Sequence, residues 1–278
     1  MDTFRDEKGH GDDSDVTSFG TSGAYVNPLG RALSVLSVFG PNERWIGVTE
    51  IALKSSVPMS TASRLLKSLL ALDYVHYHPQ LKKYRLTAKV LKLGYAAIAH
   101  SELQNLALPR MQDLADETQT QVVLGSRDRL DVVLLETCNS RKLSERGRHL
   151  KFGISVGTRL PIAESPLGWA LLAALPELER RYLSLKIETR DRLEWSRIRT
   201  RLTKAQVQVQ EKGFCASLGE IDPDIAAIAM PLTISGHAPM VLACIGSSAR
   251  MTNSRMEREF GPRLKQIVRY LQDEVEHG

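Results

Sequence analysis

The 278-residue chain has only three cysteines, Cys138, Cys215 and Cys244, far apart and in no CxxC pattern. That excludes a zinc site and a disulfide framework, and leaves small buried thiols in a reducing compartment. No run approaches the roughly 18 apolar residues of a membrane span. The N-terminus, MDTFRDEKGHGDDSDVTSFGTSG, lacks the basic start and apolar stretch of a secretion signal. Residues 1–26 are acidic and Gly/Ser-rich, which predicts a disordered tail; the expected location is the cytoplasm. Signatures of catalysis are also missing: there is no GxSxG, no HExxH and no Gly-rich phosphate loop. GRHLKFGISVG has glycines without the Lys-Ser/Thr ending, and Glu220 and Asp222 have no partner base. The seven histidines are scattered; His76 and His78 alternate on one strand, where a surface facing nucleic acid is expected rather than a metal pair. The sequence therefore predicts no enzyme, no cofactor and no metal.

What is present is unevenly charged. The net +5 divides into −4 over residues 1–26 (2 basic, 6 acidic), +7 over 27–95 (10 basic, 3 acidic) and +2 over 96–278 (25 basic, 23 acidic). Positive charge concentrated in about 70 residues points to a polyanionic partner.

That segment has a readable order. NPLGRALSVLSVFG predicts a helix capped by Asn27, with Pro28 in its first turn, Leu29, Leu33 and Leu36 as its buried stripe, and Gly40–Pro41 ending it. WIGVTEIALKSSV predicts a second short helix. After a tight turn, VPMSTASRLLKSLLALDY predicts a third, ended by Asp73. Ala62, Leu65, Leu66 and Leu69 form its apolar face; Ser60, Thr61, Arg64, Lys67 and Ser68 form a small or basic one. YVHYHPQLKKYRLT then predicts a hairpin with its tip at Pro79–Lys82. Helix, helix, turn, helix, hairpin is a winged helix-turn-helix. The cationic face of the third helix fits a major groove, and Lys82, Lys83 and Arg85 would neutralise phosphates beside it. A solvated face on an ordinary amphipathic helix is the plainer reading, but it leaves the hairpin and the charge balance unexplained.

Thr87 to His100 predicts a linking helix, and LPRMQDLADETQTQ a further one with Pro109 in its first turn. QVVLGSRD and LDVVLLETC predict strands with a turn at Arg127–Arg129, and HLKFGISVGTRLPI a third strand and loop. SPLGWALLAALP predicts an apolar helix ending at Pro176, and RLEWSRIRTRLTKAQVQVQEKG a charged one stopped by Gly213. IAAIAMPLTIS and APMVLACIGSS predict strands around a Gly236–His237 turn, before the last helix, SRMEREFGPRLKQIVRYLQDEVEHG. The class is α+β, an antiparallel sheet flanked by helices.

Four segments in order, TEIALKSSVPMSTASRLLKSLLALDYV, SVGTRLPIAESPLGWALLAALP, EKGFCASLGEIDPDIAAIAMP and VLACIGSSARM, resemble the IclR family of bacterial transcription regulators over roughly residues 27–275. The resemblance implies an N-terminal winged helix-turn-helix joined by a linker helix to a GAF-like effector-binding domain with an antiparallel sheet. The corresponding boundaries are 27–87, 88–104 and 105–275. It implies a sequence-specific transcription regulator working as a homodimer or homotetramer on double-stranded DNA with an inverted-repeat operator. Control would come from a small organic acid or aromatic effector. The DNA contacts it implies are Ser60, Thr61, Ser63, Arg64 and Lys67, with Lys82 and Lys83 on the wing. The effector contacts are Pro166, Leu167, Gly168, Ser217, Ala227, Ala243 and Ile245. Three departures stand out: Gly47 where a hydroxyl residue usually caps the second helix, Ser165–Pro166–Leu167–Gly168–Trp169 in the effector loop, and Ser217 where an acid is common. Ala243 and Ile245 replace polar positions, so the lining is apolar and an aromatic or apolar carboxylic acid from a catabolic pathway, such as aromatic catabolism, is expected. Two other readings stay open: a ligand-independent DNA-binding protein whose second domain only assembles it, and a DNA module fused to an enzyme.

Overall fold

The computed structural model describes residues 27–40, 45–98, 102–142 and 154–277. The expected acidic tail, Pro41, His100 and His149–Gly153 of the expected third strand lie outside the described residues. The chain divides into two compact units, 1–90 and 91–278. Among the described residues no helix is long and apolar enough to cross a membrane.

The first unit runs α1 (Asn27–Leu36), β1 (Ile46–Gly47), α2 (Val48–Ser55), α3 (Met59–Ala71), β2 (Val75–His78) and β3 (Lys83–Leu86). Its three strands form an antiparallel sheet in the order β1-β3-β2, with Tyr84 paired to both Ile46 and Tyr77. The expected second helix therefore begins later, because Ile46–Gly47 is drawn into the wing as an edge strand. Val35, Ile46, Ile51, Leu66, Leu69 and Val75 form the core. Ala52, Val57 and Ala62 fill the gap between α2 and α3. The expected stripe on α1 is corrected in part: Leu36 packs partly buried against the core, but Leu29 and Leu33 are 60% and 52% exposed, and Val35 is the fully buried residue. Periodicity located an apolar face, but the neighbouring helices take the adjacent one.

Between the helices the chain turns on Ser56, whose φ of 55° is left-handed. The Ser56 N–H donates to the Leu53 carbonyl (3.2 Å) and the Val57 N–H to that of Ala52 (3.1 Å), closing α2. Pro58 then leads into α3. After β3, α4 (Lys89–Ile98) begins the link.

The second unit opens with α5 (Glu102–Thr118). Pro109 sits inside this helix, not in its first turn, because the helix starts several residues earlier than expected. Then come β4 (Gln121–Asp128), β5 (Asp131–Asn139), β6 (Arg159–Pro161), α6 (Pro166–Ala174), α7 (Glu177–Arg190), α8 (Trp195–Lys212), β7 (Cys215–Leu218), β8 (Ile225–Leu232) and β9 (Met240–Ser247). The chain ends in α9 (Asn253–Arg255), a π turn (Met256–Phe260) and α10 (Gly261–His277). Neither α7 nor β7 was expected: α7 is strongly polar, and β7 is only four residues long. The first hairpin turns at Arg129–Leu130 rather than Arg127–Arg129, since Asp128 still pairs with Asp131.

All six strands of the larger sheet are antiparallel, in the order β6-β5-β4-β9-β8-β7. Alternation sends Leu242 and Cys244 to one face, where Met111, Leu114, Phe260 and Leu264 from α5, the π turn and α10 cover them. Val241, Ala243 and Ile245 go to the other, under Leu167, Leu171, Leu183 and Ile198 from α6, α7 and α8. The split of Ala243 and Ile245 from Cys244 follows the expected period of two.

Candidate nucleic-acid interface and effector pocket

The buried and open faces of α3 separate cleanly. Ala62, Leu66 and Leu69 are buried, while Ser60, Arg64 and Lys67 are exposed and Thr61 and Ser63 half-buried. Neither Arg64 nor Lys67 has an acidic partner among the described residues, whereas Lys54 on α2 lies 2.9 Å from Glu50. No side chain caps the start of α3, so its first N–H groups and the positive end of the helix are open to a phosphate. On the wing, Lys82 and Lys83 are exposed, and Lys82 has a left-handed φ of 53° at the tip. The outward face of the wing also carries Trp45. Its ring lies 5.9 Å from His76 and 5.2 Å from His78, and Arg85 stands 5.0 Å over it. The seven positions Ser60, Thr61, Ser63, Arg64, Lys67, Lys82 and Lys83 thus divide between α3 and the wing of one unit. Trp45 joins the wing through a cross-strand packing that sequence reasoning did not reach.

In the second unit a cavity of about 250 Å³ opens beneath the start of α6. Ser217, Ala227 and Ile245 are cross-strand neighbours in one row over β7, β8 and β9, and all three line it. Pro166 and Leu167 line it from α6. Ala243 pairs with Ala229, one row further under α6, and does not line the cavity. Gly168 does not line it either; an ideal Cβ there would lie 2.2 Å from the Ile162 carbonyl oxygen, so glycine is needed for α6 to pass that close.

The start of α6 is built by its sequence. Ser165 caps it, its Oγ accepting from the Gly168 N–H at 3.1 Å, and Pro166 occupies the first turn. The Trp169 indole N–H donates to the Ala163 carbonyl (2.8 Å) and the Cys215 thiol to that of Pro166 (3.4 Å), pinning the helix to the sheet. Ile154, Leu160, Pro161, Ile221 and Ile225 complete the apolar wall, and Glu164 stands exposed at the rim. No basic side chain lines this cavity. Its polar groups are Glu164, Ser165 and the hydroxyl of Ser217, a residue 3% exposed. Ile225 could have been found from the sequence, since it shares a face with Ala227; Ile154 and Ile221 come from loops that carry no pattern.

The three thiols are buried and unpaired. Burial pushes Cys138 up to about 11, and Cys215 and Cys244 up to about 12. No group of three or more potential metal ligands occurs among the described residues.

A helix-turn-helix with an exposed basic face and a wing, followed by a separate domain enclosing a ligand-sized hollow, is the build of a winged-helix regulator of transcription. Comparison with known proteins makes this specific. The family model described as "IclR helix-turn-helix domain" matches residues 28–79, and "Bacterial transcriptional regulator IclR C-terminal" matches 95–275. The chain belongs to the IclR family of bacterial transcription regulators. It is 30% identical over 251 residues to the HTH-type transcriptional regulator TsaQ1/TsaQ2 of Comamonas testosteroni, covering 90% of this chain and 88% of that one. It is 26% identical over 243 residues to the Pca regulon regulatory protein of Pseudomonas putida, covering 86% and 80%. Its fold matches an IclR family transcriptional regulator from Brucella abortus with a TM-score of 0.79 at 34% identity, covering 90% and 93%. The Comamonas testosteroni and Brucella abortus proteins are named as transcriptional regulators and the Pseudomonas putida protein as a regulatory protein. The chain is a DNA-binding transcription regulator and not an enzyme.

Proposed function

We propose that the chain is a cytoplasmic, sequence-specific regulator whose hold on its operator is set by an aromatic or apolar carboxylic acid from a catabolic pathway. Ser60, Thr61, Ser63, Arg64 and Lys67 would meet the major groove. Arg64 can fork onto guanine O6 and N7, Lys67 holds a phosphate, and Lys82 and Lys83 hold the backbone beside it. A homodimer or homotetramer would present recognition helices one DNA turn apart, so the operator is an inverted repeat. Residues 88–104 are the covalent path between a winged unit at 27–87 and the effector unit at 105–275, and serve as the lever.

The observation that carries the effector assignment is the row Ser217–Ala227–Ile245 beneath the N-terminus of α6, in a cavity walled by apolar side chains. An aromatic ring fits those walls. Its carboxylate would lie against the Ser165 and Ser217 hydroxyls and the positive end of α6. Glu164 at the rim disfavours a second carboxylate on the same ligand. The effector acts only through unequal affinity for two arrangements of the winged units; equal affinity shifts nothing.

The test is to recover the DNA bound in cells, read the adjacent genes for their substrates, and screen those acids by melting temperature and operator affinity. Aromatic monocarboxylates should shift both. If only two- or three-carbon acids do, this effector class is wrong. If no acid does, the second unit serves assembly alone.

A further inference from the structure

A second hollow in the effector unit is larger than the pocket beneath α6. It lies between α6, α7 and α8 and has a volume of about 630 Å³. Its floor is apolar. Leu172 comes from α6, Leu185 from α7, and Trp195 and Leu202 from α8. Leu172 is buried, Trp195 and Leu202 are half-buried against the core, and Leu185 is 63% exposed. Its rim is cationic: Arg180, Arg181 and Arg199 stand against a single acid, Glu188. Arg180 is anchored, its guanidinium donating to the Leu175 carbonyl at 3.1 Å. Arg181 reaches Glu177 only at 3.9 Å and is 74% exposed. Arg199 has no acidic partner among the described residues.

We propose that this groove binds an amphiphilic organic anion, with its apolar body on Leu172, Leu185, Trp195 and Leu202 and its acid group between Arg181 and Arg199. Apolar floor and cationic rim each select half of such a molecule. Removing the body from water supplies non-directional attraction, and a charge-assisted hydrogen bond to a guanidinium fixes its polar end. A bare inorganic anion would leave the floor wet, and a neutral hydrocarbon would leave the arginines unused. The two hollows differ in chemistry: the pocket beneath α6 has no basic side chain, while this groove has three. The regulator therefore has room for a second ligand input, recognised by a different part of the same unit.

Trp195 supplies the reporter. Titrating the full-length chain with decanoate should change its tryptophan emission saturably, and Trp195→Phe should remove that change. Decanol tests the body without the charge and acetate the charge without the body; both should bind at least about tenfold more weakly. Arg199→Gln should weaken decanoate about tenfold and leave decanol unmoved, a pattern that misfolding does not produce. Ala227→Trp, which fills the pocket beneath α6, should leave the decanoate-dependent change in Trp195 emission intact. Three results overturn the proposal: decanol binding as tightly as decanoate; loss of the decanoate-dependent Trp195 emission change in Ala227→Trp, which places the probe in the other pocket; and no decanoate-dependent emission change in the parent chain, in which case a halved assembly mass of Leu185→Glu in sedimentation makes the groove a contact between copies of the chain.

Discussion

Gly168→Ala separates packing from ligand contact at the mouth of α6. The added Cβ would lie 2.2 Å from the Ile162 carbonyl oxygen, 2.4 Å from its Cα and 2.6 Å from its carbonyl carbon. Carbon atoms pack at about 3.5–4.0 Å, so α6 must withdraw by about 1 Å. All three atoms are backbone, and no rotamer change relieves the clash. Overpacking of this kind costs roughly 1–3 kcal/mol. In a unit spanning residues 91–278, each kcal/mol lowers Tm by about 2–4 °C, so a fall of roughly 2–12 °C is expected. Calorimetry of the full chain reads it, and DNA affinity at 20 °C, well below the transition, should stay unchanged. A Tm within about 1 °C of the parent, with effector binding lost, would refute the packing account and make Gly168 a ligand contact.

Three further outcomes follow from named contacts. Arg64→Ala should relax base preference at one operator position by about 1–3 kcal/mol, while Lys82→Ala weakens every duplex alike; equal losses on all operator variants from both would refute that division. The buried thiols, raised to about 11 for Cys138 and about 12 for Cys215 and Cys244, should resist Ellman's reagent at pH 8 until denaturant is added, and a native thiol that reacts at once contradicts their burial. Lys89 donates to the Leu72 carbonyl at 2.9 Å and lies 5.0 Å over the Tyr74 ring, and the Thr87 hydroxyl donates to the Asp73 carbonyl at 2.6 Å, so α4 is riveted to the C-terminal end of α3. Lys89→Met should broaden the tolerated spacing between half-sites, measured on duplexes differing by single base pairs, with single half-site binding kept; an unaltered spacing preference sinks the rivet.

Much of this was legible because two periodicities are strong. The apolar repeat of Ala62, Leu66 and Leu69 placed α3 and its open face together, and alternation in VLACIGSS set Ile245 apart from Cys244. What failed did so for lack of a local signal. Leu29 and Leu33 make a helical stripe, yet which stripe is covered depends on where α2 and α3 sit. Ile46 looks helical beside the residues of α2 until β3 pairs with it. Gly168 lies in a motif-matching segment that opens α6, and its reason for being glycine is the Ile162 backbone, six residues away in sequence and visible only in space. Trp195 and Arg199 are ordinary members of a charged helix, and only the opening between α7 and α8 gives them a shared surface.

The central claim is that the exposed face of α3, with Arg64 and Lys67, lies against a double helix. Its most direct test is the affinity of the full chain for a selected inverted-repeat duplex, measured by anisotropy between about 50 and 200 mM salt. The account predicts log K falling linearly with log salt, and a slope reduced by about one per lost phosphate contact in Lys67→Ala. A slope near zero, or one that Lys67→Ala leaves untouched, would contradict it.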